Sequence, residues 1–192
     1  MRTFDEILKL QELTQIKKPK ILYHGGNLKN NKLEPNVSNY GEGNTYFSPD
    51  KEFSLGYSKG GYLYTFLAKD LILFDPVLKD QFLKMKKWYQ DNNIGIHDLI
   101  YEEGVGGALS WDDDDEEIFW DLNDDDAWEY IYKNFLNVEP NYHIFDDNTF
   151  YEYIDSIGAD GHIENEKGVR NNICIYPNSF RKLKLLKKES IP

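Results

Sequence analysis

The chain has 192 residues and a formal net charge of −12 at pH 7. Apolar residues make up 40% of it and aromatic residues 15%, enough for a packed core, which excludes a disordered chain. The acidic surplus repels phosphates and so disfavours a large nucleic-acid footprint, although a small local basic site stays compatible with it. The lone cysteine, Cys174, excludes an intramolecular disulfide and a Cys-rich zinc site.

The first third of the chain predicts a helix, a strand and a loop. Apolar residues recur at near-helical spacing over residues 3 to 17, so we expect an amphipathic helix there. The KKPK at 17 to 20 ends it, because proline and the residue before it leave the helical region. The ILY that follows predicts a short buried strand ending at His24. Residues 25 to 45 are rich in Gly, Asn and Pro and are expected to form a loop.

The next elements are short and alternate between strand and helix. TYFSPD (45 to 50) is typical of a strand end, and KEFSLGYSKG (51 to 60) of a short helix closed by glycine. GYLYTFLAKDLILFD (61 to 75) alternates and is rich in Leu, Tyr and Phe. It predicts strand structure, broken near Lys69 and Asp70.

The second half predicts helices followed by a last strand. Apolar spacing indicates helices over residues 77 to 93, 124 to 136 and 147 to 157. NNICIYP predicts the last strand, and SFRKLKLLKK follows it. No internal repeat or linker divides the chain, so we expect a single domain over residues 1 to 192.

An acidic block, WDDDDEEIFWDLNDDDAWEY at 111 to 130, is the strongest compositional feature. It lacks the alternating oxygen ligands, central glycine and terminal glutamate of an EF-hand loop, which argues against calcium by that route. Mimicry of nucleic-acid charge is the other functional reading. We favour an acidic, solvated insertion at about residues 100 to 130. Its apolar residues are expected to pack onto the body of the domain: Ile118, Phe119, Trp120 and Trp128.

Two kinds of catalytic centre are disfavoured by the residue pattern. His97, His143 and His162 belong to no recognisable ligand arrangement of His, Cys and carboxylate residues, so no metal centre is expected. Cys174 lies among Ile173 and Ile175, where cysteine acts as a small buried apolar residue rather than a nucleophile.

A dispersed set of residues points instead to an aromatic amide ligand. His24 and Gly25 end one predicted strand, and Tyr46 ends the next. Ser54 and Tyr57 share one face if residues 51 to 58 are helical, and can turn toward Tyr46. Two tyrosine rings can stack on a flat ring while a hydroxyl and the backbone at a glycine bond its amide. Each residue alone is as readily a strand-end, core or helix-start residue, so only their joint spacing favours a ligand site.

The chain resembles the ADP-ribosyltransferase superfamily in its His-Tyr-Glu branch, which holds the diphtheria-toxin-like and PARP-like enzymes. The resemblance runs through LYHGG, NTYFSPDKEFSLGYS, GYLYTFLAKDLILFD and IGADGHIENEKGVRNNICIYPNSFRKLKLL, in the order of the family. It is nearest to the small single-domain members of bacteria and phages. It implies an α+β fold, with a split and mostly antiparallel β-sheet core, flanking helices and a cleft for NAD.

The resemblance also assigns roles. His24 would bond a ribose hydroxyl of NAD. Gly25 would bond the nicotinamide carboxamide through its backbone, and Ser54 would bond the carboxamide oxygen. Tyr46 and Tyr57 would enclose the nicotinamide ring. The family's reaction breaks the bond between nicotinamide and ribose through an oxocarbenium-like transition state, which a nearby negative group stabilises. NAD is thus implied as a substrate, with no metal.

The sequence departs from the family where its catalytic glutamate opens the last strand, because Asn172 stands there. Asparagine keeps the shape but lacks the charge, and losing one preorganised stabilising group costs about 2.7–4 kcal/mol, or roughly 10²–10³ in rate. Three explanations compete. The natural protein lacks the glutamate, a toxic enzyme was disarmed for production, or Glu164 or Glu166 replaces it.

The expected function is therefore transfer of one ADP-ribose from NAD to a macromolecule, a protein rather than a nucleic acid. A catalytically degenerate module of the same fold that binds NAD, ADP-ribose or a protein is the alternative, and an acidic interaction protein acting through residues 111 to 130 is a third. The Asn-, Lys-, Asp- and Tyr-rich composition is typical of a phage or a bacterium of low GC content. With neither a signal peptide nor an apolar run of about 18 residues, we expect a cytoplasmic protein without a membrane partner, in the host cytoplasm if phage-encoded.

Overall fold

The structure is a computed structural model, and it describes most of the chain. The described residues are 13–16, 20–28, 30, 32–33, 37–38, 41–42, 45–102, 113–136, 148–166 and 169–192.

Ten strands occur in the described part of the chain. They are β1 (Thr14–Ile16), β2 (Lys20–Gly26), β3 (Val37–Ser38), β4 (Gly41–Glu42), β5 (Thr45–Phe47), β6 (Tyr62–Ala68), β7 (Leu71–Phe74), β8 (Gly161–Glu166), β9 (Val169–Ile175) and β10 (Leu183–Ser190).

Six α-helices accompany these strands within the same residues. They are α1 (Lys51–Gly56), α2 (Lys79–Asp91), α3 (Ile96–Glu102), α4 (Asp113–Asp121), α5 (Asp124–Ile131) and α6 (Asn148–Ser156). A π-helical turn (Tyr132–Leu136) continues α5, and a 3₁₀-helix (Pro177–Lys182) links β9 to β10.

The strands form two main sheets and a small hairpin. The larger sheet has the order β1-β7-β8-β9-β5 and the smaller one β10-β6-β2, while β3 pairs with β4. All pairings are antiparallel except that of β7 with β8. The expected α+β class is confirmed.

The first predicted helix is wrong where the structure describes it. Residues 14 to 16 form β1, which pairs antiparallel with Leu71–Leu73 at the edge of the larger sheet. The β-branched Thr14 and Ile16 suit this pairing, which outweighs the helical spacing of the segment. Residues 3 to 12 lie outside the described residues. The loop expected at 25 to 45 is also too long, because β2 continues to Gly26 and the β3–β4 hairpin follows.

Several other predicted elements are confirmed, but NNICIYP is not the last strand, because β10 (Leu183–Ser190) follows it. The helix at 51 begins after Asp50, whose side chain accepts hydrogen bonds from the first-turn amides of Glu52 and Phe53. The break in the 61 to 75 run lies at Asp70, which has a φ of 55°. α2, α5 and α6 lie within the three predicted helical segments.

Two hydrophobic clusters stabilise the fold. One packs α2, α5 and α6 against one face of the larger sheet and includes the fully buried Phe74, Trp128 and Phe150. The other brings residues of both sheets together, among them Leu22 of β2 and Ile173 of β9. Helices therefore cover one face of the larger sheet at β7, and the smaller sheet covers the other face.

The acidic block is folded into the first cluster. Phe119 of α4 and Trp128 of α5 are fully buried, as predicted, but Ile118 and Trp120 are 48% and 40% exposed. On a helix, 118 and 120 point away from the face that buries 119, so all three cannot pack inward. Whether the block is an insertion stays a prediction.

Asp160 joins three parts of the fold just before β8. Its Oδ2 accepts hydrogen bonds from the Ile72 amide at 2.7 Å and from Lys182 Nζ at 2.6 Å. Its Oδ1 accepts a hydrogen bond from the Ser179 hydroxyl. The carboxylate is buried, so its hydration is replaced by these three donors.

We expect Asp160→Ala to lower the free energy of unfolding by about 3–5 kcal/mol, because it leaves Lys182 and the Ile72 amide without their shared acceptor. Urea unfolding measures the loss. The matched control is Asp155→Ala on the exposed side of α6, expected to stay close to wild type. Equal effects of the two substitutions would contradict this role of Asp160.

Candidate functional site

The two sheets are joined at one backbone contact. The Tyr23 amide donates to the Ser48 carbonyl at 2.8 Å, and the Ser48 amide donates to the Tyr23 carbonyl at 2.9 Å. The Ser54 hydroxyl donates to the same Tyr23 carbonyl at 3.2 Å. β2, the end of β5 and helix α1 therefore meet at this junction, and the expected site residues at 24, 25, 46 and 54 surround it.

His24 follows the junction directly and is held in one orientation. Its Nδ1 lies 2.9 Å from the Tyr46 carbonyl oxygen, and its ring centroid lies 5.6 Å from that of Phe47 and 6.1 Å from that of Tyr64. A carbonyl only accepts, so Nδ1 carries the proton, and in the neutral ring Nε2 is an acceptor.

The environment favours this neutral ring. Burial lowers the pKa of His24 below its ordinary value of 6.5, and the bond to the Tyr46 carbonyl opposes the shift only in part. Nε2 lies 3.4 Å from the point that a Cβ on Gly26 would occupy. The missing side chain at Gly26 leaves room beside this nitrogen for a hydroxyl donor.

Gly25 is required by the packing of α1 on β2. A Cβ there would lie 2.2 Å from the Ser54 carbonyl oxygen and 2.6 Å from Ser58 Oγ. The residue was predicted to let a ligand approach the backbone, and the structure shows that the helix backbone itself approaches closely.

Ser54 and Tyr57 lie at different depths. Ser54 is buried and gives its hydroxyl hydrogen to the Tyr23 carbonyl, so in this arrangement it offers a ligand only an acceptor. It therefore does not have the hydrogen that the expected bond to the carboxamide oxygen requires. Tyr57 caps the C-terminal end of α1, is 47% exposed, and has its ring centroid 5.5 Å from that of Phe53. α1 thus ends at Gly56, before the full 51 to 58 span expected.

Tyr46 and Asn172 share a face of the larger sheet. Tyr46 is opposite Cys174 in the β5–β9 register, and Asn172 is two residues before Cys174 on the same strand. Side chains two residues apart on a strand point the same way. Asn172 is 2% exposed. Cys174 is fully buried, as predicted.

Glu164 is the cross-strand partner of Asn172. Directly opposed residues of an antiparallel pair have Cβ atoms about 4.5–5.5 Å apart, so a carboxylate lies beside the asparagine. Glu166 is at the end of β8, opposite Val169 and beyond a bulge that follows Glu164. Of the two candidate substitutes, Glu164 has the position that neighbours Asn172 directly.

A buried polar group next to Glu164 was missed by the sequence reasoning. His162 Nε2 lies 2.8 Å from Glu164 Oε1, and His162 Nδ1 lies 3.1 Å from the Tyr176 hydroxyl. His162 is 3% exposed. The i, i+2 spacing of His162 and Glu164 is compatible with a contact on one face of a strand. The sequence analysis considers His162 only as a metal ligand and so does not predict this contact.

The described residues show neither a metal-binding cluster nor a membrane-spanning helix. They contain no group of three or more His, Cys, Asp and Glu side chains placed to hold a metal ion. No helix among them has the length and apolar character needed to cross a membrane.

Comparison with protein-family models, curated proteins and solved structures found no match to this chain.

We expect Gly25→Ala to destabilise the protein by about 1–3 kcal/mol, because the added methyl group overlaps the α1 backbone. Gly56→Ala is the matched control, since a Cβ at Gly56 meets nothing within 4 Å. The control is expected to be neutral or slightly stabilising. Thermal unfolding of the two variants checks this, and a Gly25→Ala protein as stable as Gly56→Ala would contradict the packing described.

The imidazole of His24 is expected to titrate below pH 6.5, as its burial lowers the pKa. The folded state then binds fewer protons than the unfolded state, so stability rises with pH in this window. This contribution is present above about pH 6.5 and lost as the pH falls through the folded pKa. NMR titration of the ring, assigned with His24→Gln, measures it, and a midpoint at or above 6.5 would contradict it.

Proposed function

We propose that this chain is an NAD-dependent mono-ADP-ribosyltransferase, with its two joined sheets forming the split sheet and cleft of the ADP-ribosyltransferase fold. One observation carries the proposal: the Tyr46 carbonyl orients the His24 ring and burial lowers its pKa, so that Nε2 is an acceptor facing the space beside Gly26. An oriented acceptor of this kind suits a ribose hydroxyl, which is the role that the resemblance assigns to His24.

The remaining ligand contacts follow from the elements around the junction. The half-exposed ring of Tyr57 at the end of α1 offers a stacking surface for nicotinamide, with Tyr46 on the other side. The backbone at Gly25 bonds the carboxamide. The Ser54 hydroxyl, whose hydrogen is given to Tyr23, accepts from the carboxamide NH₂.

The reaction is a substitution at C1′ of the nicotinamide ribose. The C1′–N bond breaks, its electron pair stays on nicotinamide, and neutral nicotinamide leaves. The acceptor forms the new bond to C1′ and loses its proton to a base or to water. Positive charge develops on the sugar in between, so fixed negative charge nearby accelerates the reaction.

Asn172 supplies no such charge. The natural absence of the glutamate and an introduced substitution remain as explanations, but the register of β8 with β9 favours replacement by Glu164. Growth of an ADP-ribose polymer needs a ribose hydroxyl activated by a glutamate at the position of Asn172, so a single transfer is the expected product. The acceptor proposed is a basic protein, because exposed acidic side chains such as Glu117, Asp121 and Asp125 attract positive charge.

The second candidate is a module of the same fold that binds NAD without cleaving it. The observation in its favour is the uncharged Asn172 at the position of the family's glutamate. The two functions differ in one respect only, which is release of nicotinamide.

We expect the wild-type protein to release nicotinamide from NAD. We expect His24→Ala to lower kcat/KM by about tenfold or more, because the hydrogen bond between His24 and a ribose hydroxyl is lost. Label transfer from NAD to proteins of a lysate measures the same loss. His97→Ala is the matched control, since His97 lies on α3 with its ring against Phe119.

Three outcomes of this experiment separate the candidates. NAD binding without nicotinamide release, also in Asn172→Glu, would favour the binding module over the enzyme. Absence of NAD binding would contradict both. Equal losses in His24→Ala and His97→Ala would contradict the role of His24.

A further inference from the structure

His162, Glu164 and Tyr176 form a connected polar group that the proposed binding roles do not use. Each nitrogen of the His162 ring contacts one partner, Glu164 Oε1 at 2.8 Å and the Tyr176 hydroxyl at 3.1 Å. His162 and Glu164 have side-chain exposures of 4% and 10%. Burying a carboxylate and an imidazole costs solvation, so their mutual bond is needed to keep either in place.

The orientation of this group is locked by aromatic packing. Phe150 of α6 contacts the His162 ring edge-on, with centroids 5.0 Å apart. Tyr151 of the same helix contacts the Tyr176 ring, with centroids 5.1 Å apart. The His162 ring is held on one side by α6 and at both nitrogens by polar partners. It therefore fixes the position of the Glu164 carboxylate on the sheet.

That place is beside Asn172. The β8–β9 register pairs Glu164 with Asn172 and His162 with Cys174, so all four side chains share one face of the sheet. Tyr46 is on this face as well, opposite Cys174. The bond from His162 occupies one lone-pair site of Glu164, and a carboxylate has about four. Glu164 therefore retains the capacity to accept from a second donor.

We propose that Glu164 is the catalytic carboxylate of this site, and that His162 and Tyr176 are positioning residues that hold it one strand away from the usual place. This rests on the proposed ADP-ribosyl transfer. Glu164 stabilises the positive charge on the ribose as the C1′–N bond breaks, and then receives the proton that the acceptor loses. The charge missing at Asn172 is thus supplied across the strand pair.

The test compares a carboxylate at position 164 on β8 with one at position 172 on β9. We expect Glu164→Gln to lower kcat for nicotinamide release by about 10²–10³, with the Kd for NAD unchanged. The double variant Glu164→Gln/Asn172→Glu is expected to regain much of this kcat, because it restores a carboxylate about 5 Å away on the same face. A structural role for Glu164 would give no such rescue.

His162 and Tyr176 are tested in both backgrounds. His162→Gln and Tyr176→Phe are expected to lower kcat in the wild type without raising KM for NAD, and to have no further effect in the double variant, where Glu164 is already replaced. Glu152→Gln, on the exposed side of α6, is the matched control and is expected to keep wild-type kcat. Urea unfolding of every variant separates loss of the fold from loss of activity.

Each remaining outcome decides against the proposal. Wild-type kcat in Glu164→Gln would overturn it and leave the proposed function intact. A folded, NAD-binding Glu164→Gln that loses activity but is not rescued by Asn172→Glu would overturn it as well. A wild-type protein that releases no nicotinamide would overturn the proposed function and this inference together.

Discussion

The pair of backbone hydrogen bonds between Tyr23 and Ser48 is the interaction on which the site depends. It joins the smaller sheet to the larger one, at 2.8 and 2.9 Å, and fixes β2 against the end of β5. Because His24 follows Tyr23, its ring meets the Tyr46 carbonyl and the Phe47 ring as a consequence. The Ser54 hydroxyl donates a third hydrogen bond at the junction, to the Tyr23 carbonyl, and holds α1 there.

Close packing at this junction explains why its residues are small and why its histidine is neutral. Gly25 leaves no room for a side chain between β2 and α1, so the helix lies directly on the strand. The same packing removes water from His24 and lowers its pKa. A neutral, oriented acceptor next to a space at Gly26 thus results from the packing that holds the two sheets together.

Local patterns predicted much of this part of the fold. The helix that begins at residue 51, the break near Asp70 and the burial of Phe119 and Trp128 are set by neighbours in sequence, and all were predicted. The helix expected over residues 3 to 17 is wrong at Thr14–Ile16, because these residues form a strand whose partner, β7, is more than fifty residues away. The local spacing of apolar residues cannot predict pairing with a strand so far away in the sequence.

The candidate site, too, was predicted from the sequence only in part. His24, Gly25 and Ser54 were grouped from sequence, and the structure brings them together around Tyr23. The neighbourhood of Asn172 could not be predicted, because it depends on the register between β8 and β9. A shift by one residue would turn Glu164 and His162 to the opposite face. Their contact is therefore a property of the folded sheet.

The most direct test of the NAD-binding claim is an experimental structure of the protein soaked or co-crystallised with NAD. We expect a ribose hydroxyl within hydrogen-bond distance of His24 Nε2, the carboxamide at the Gly25 backbone, and the nicotinamide ring against Tyr57. NAD bound elsewhere, or with its ribose away from His24, would contradict the assignment of this junction as the active site.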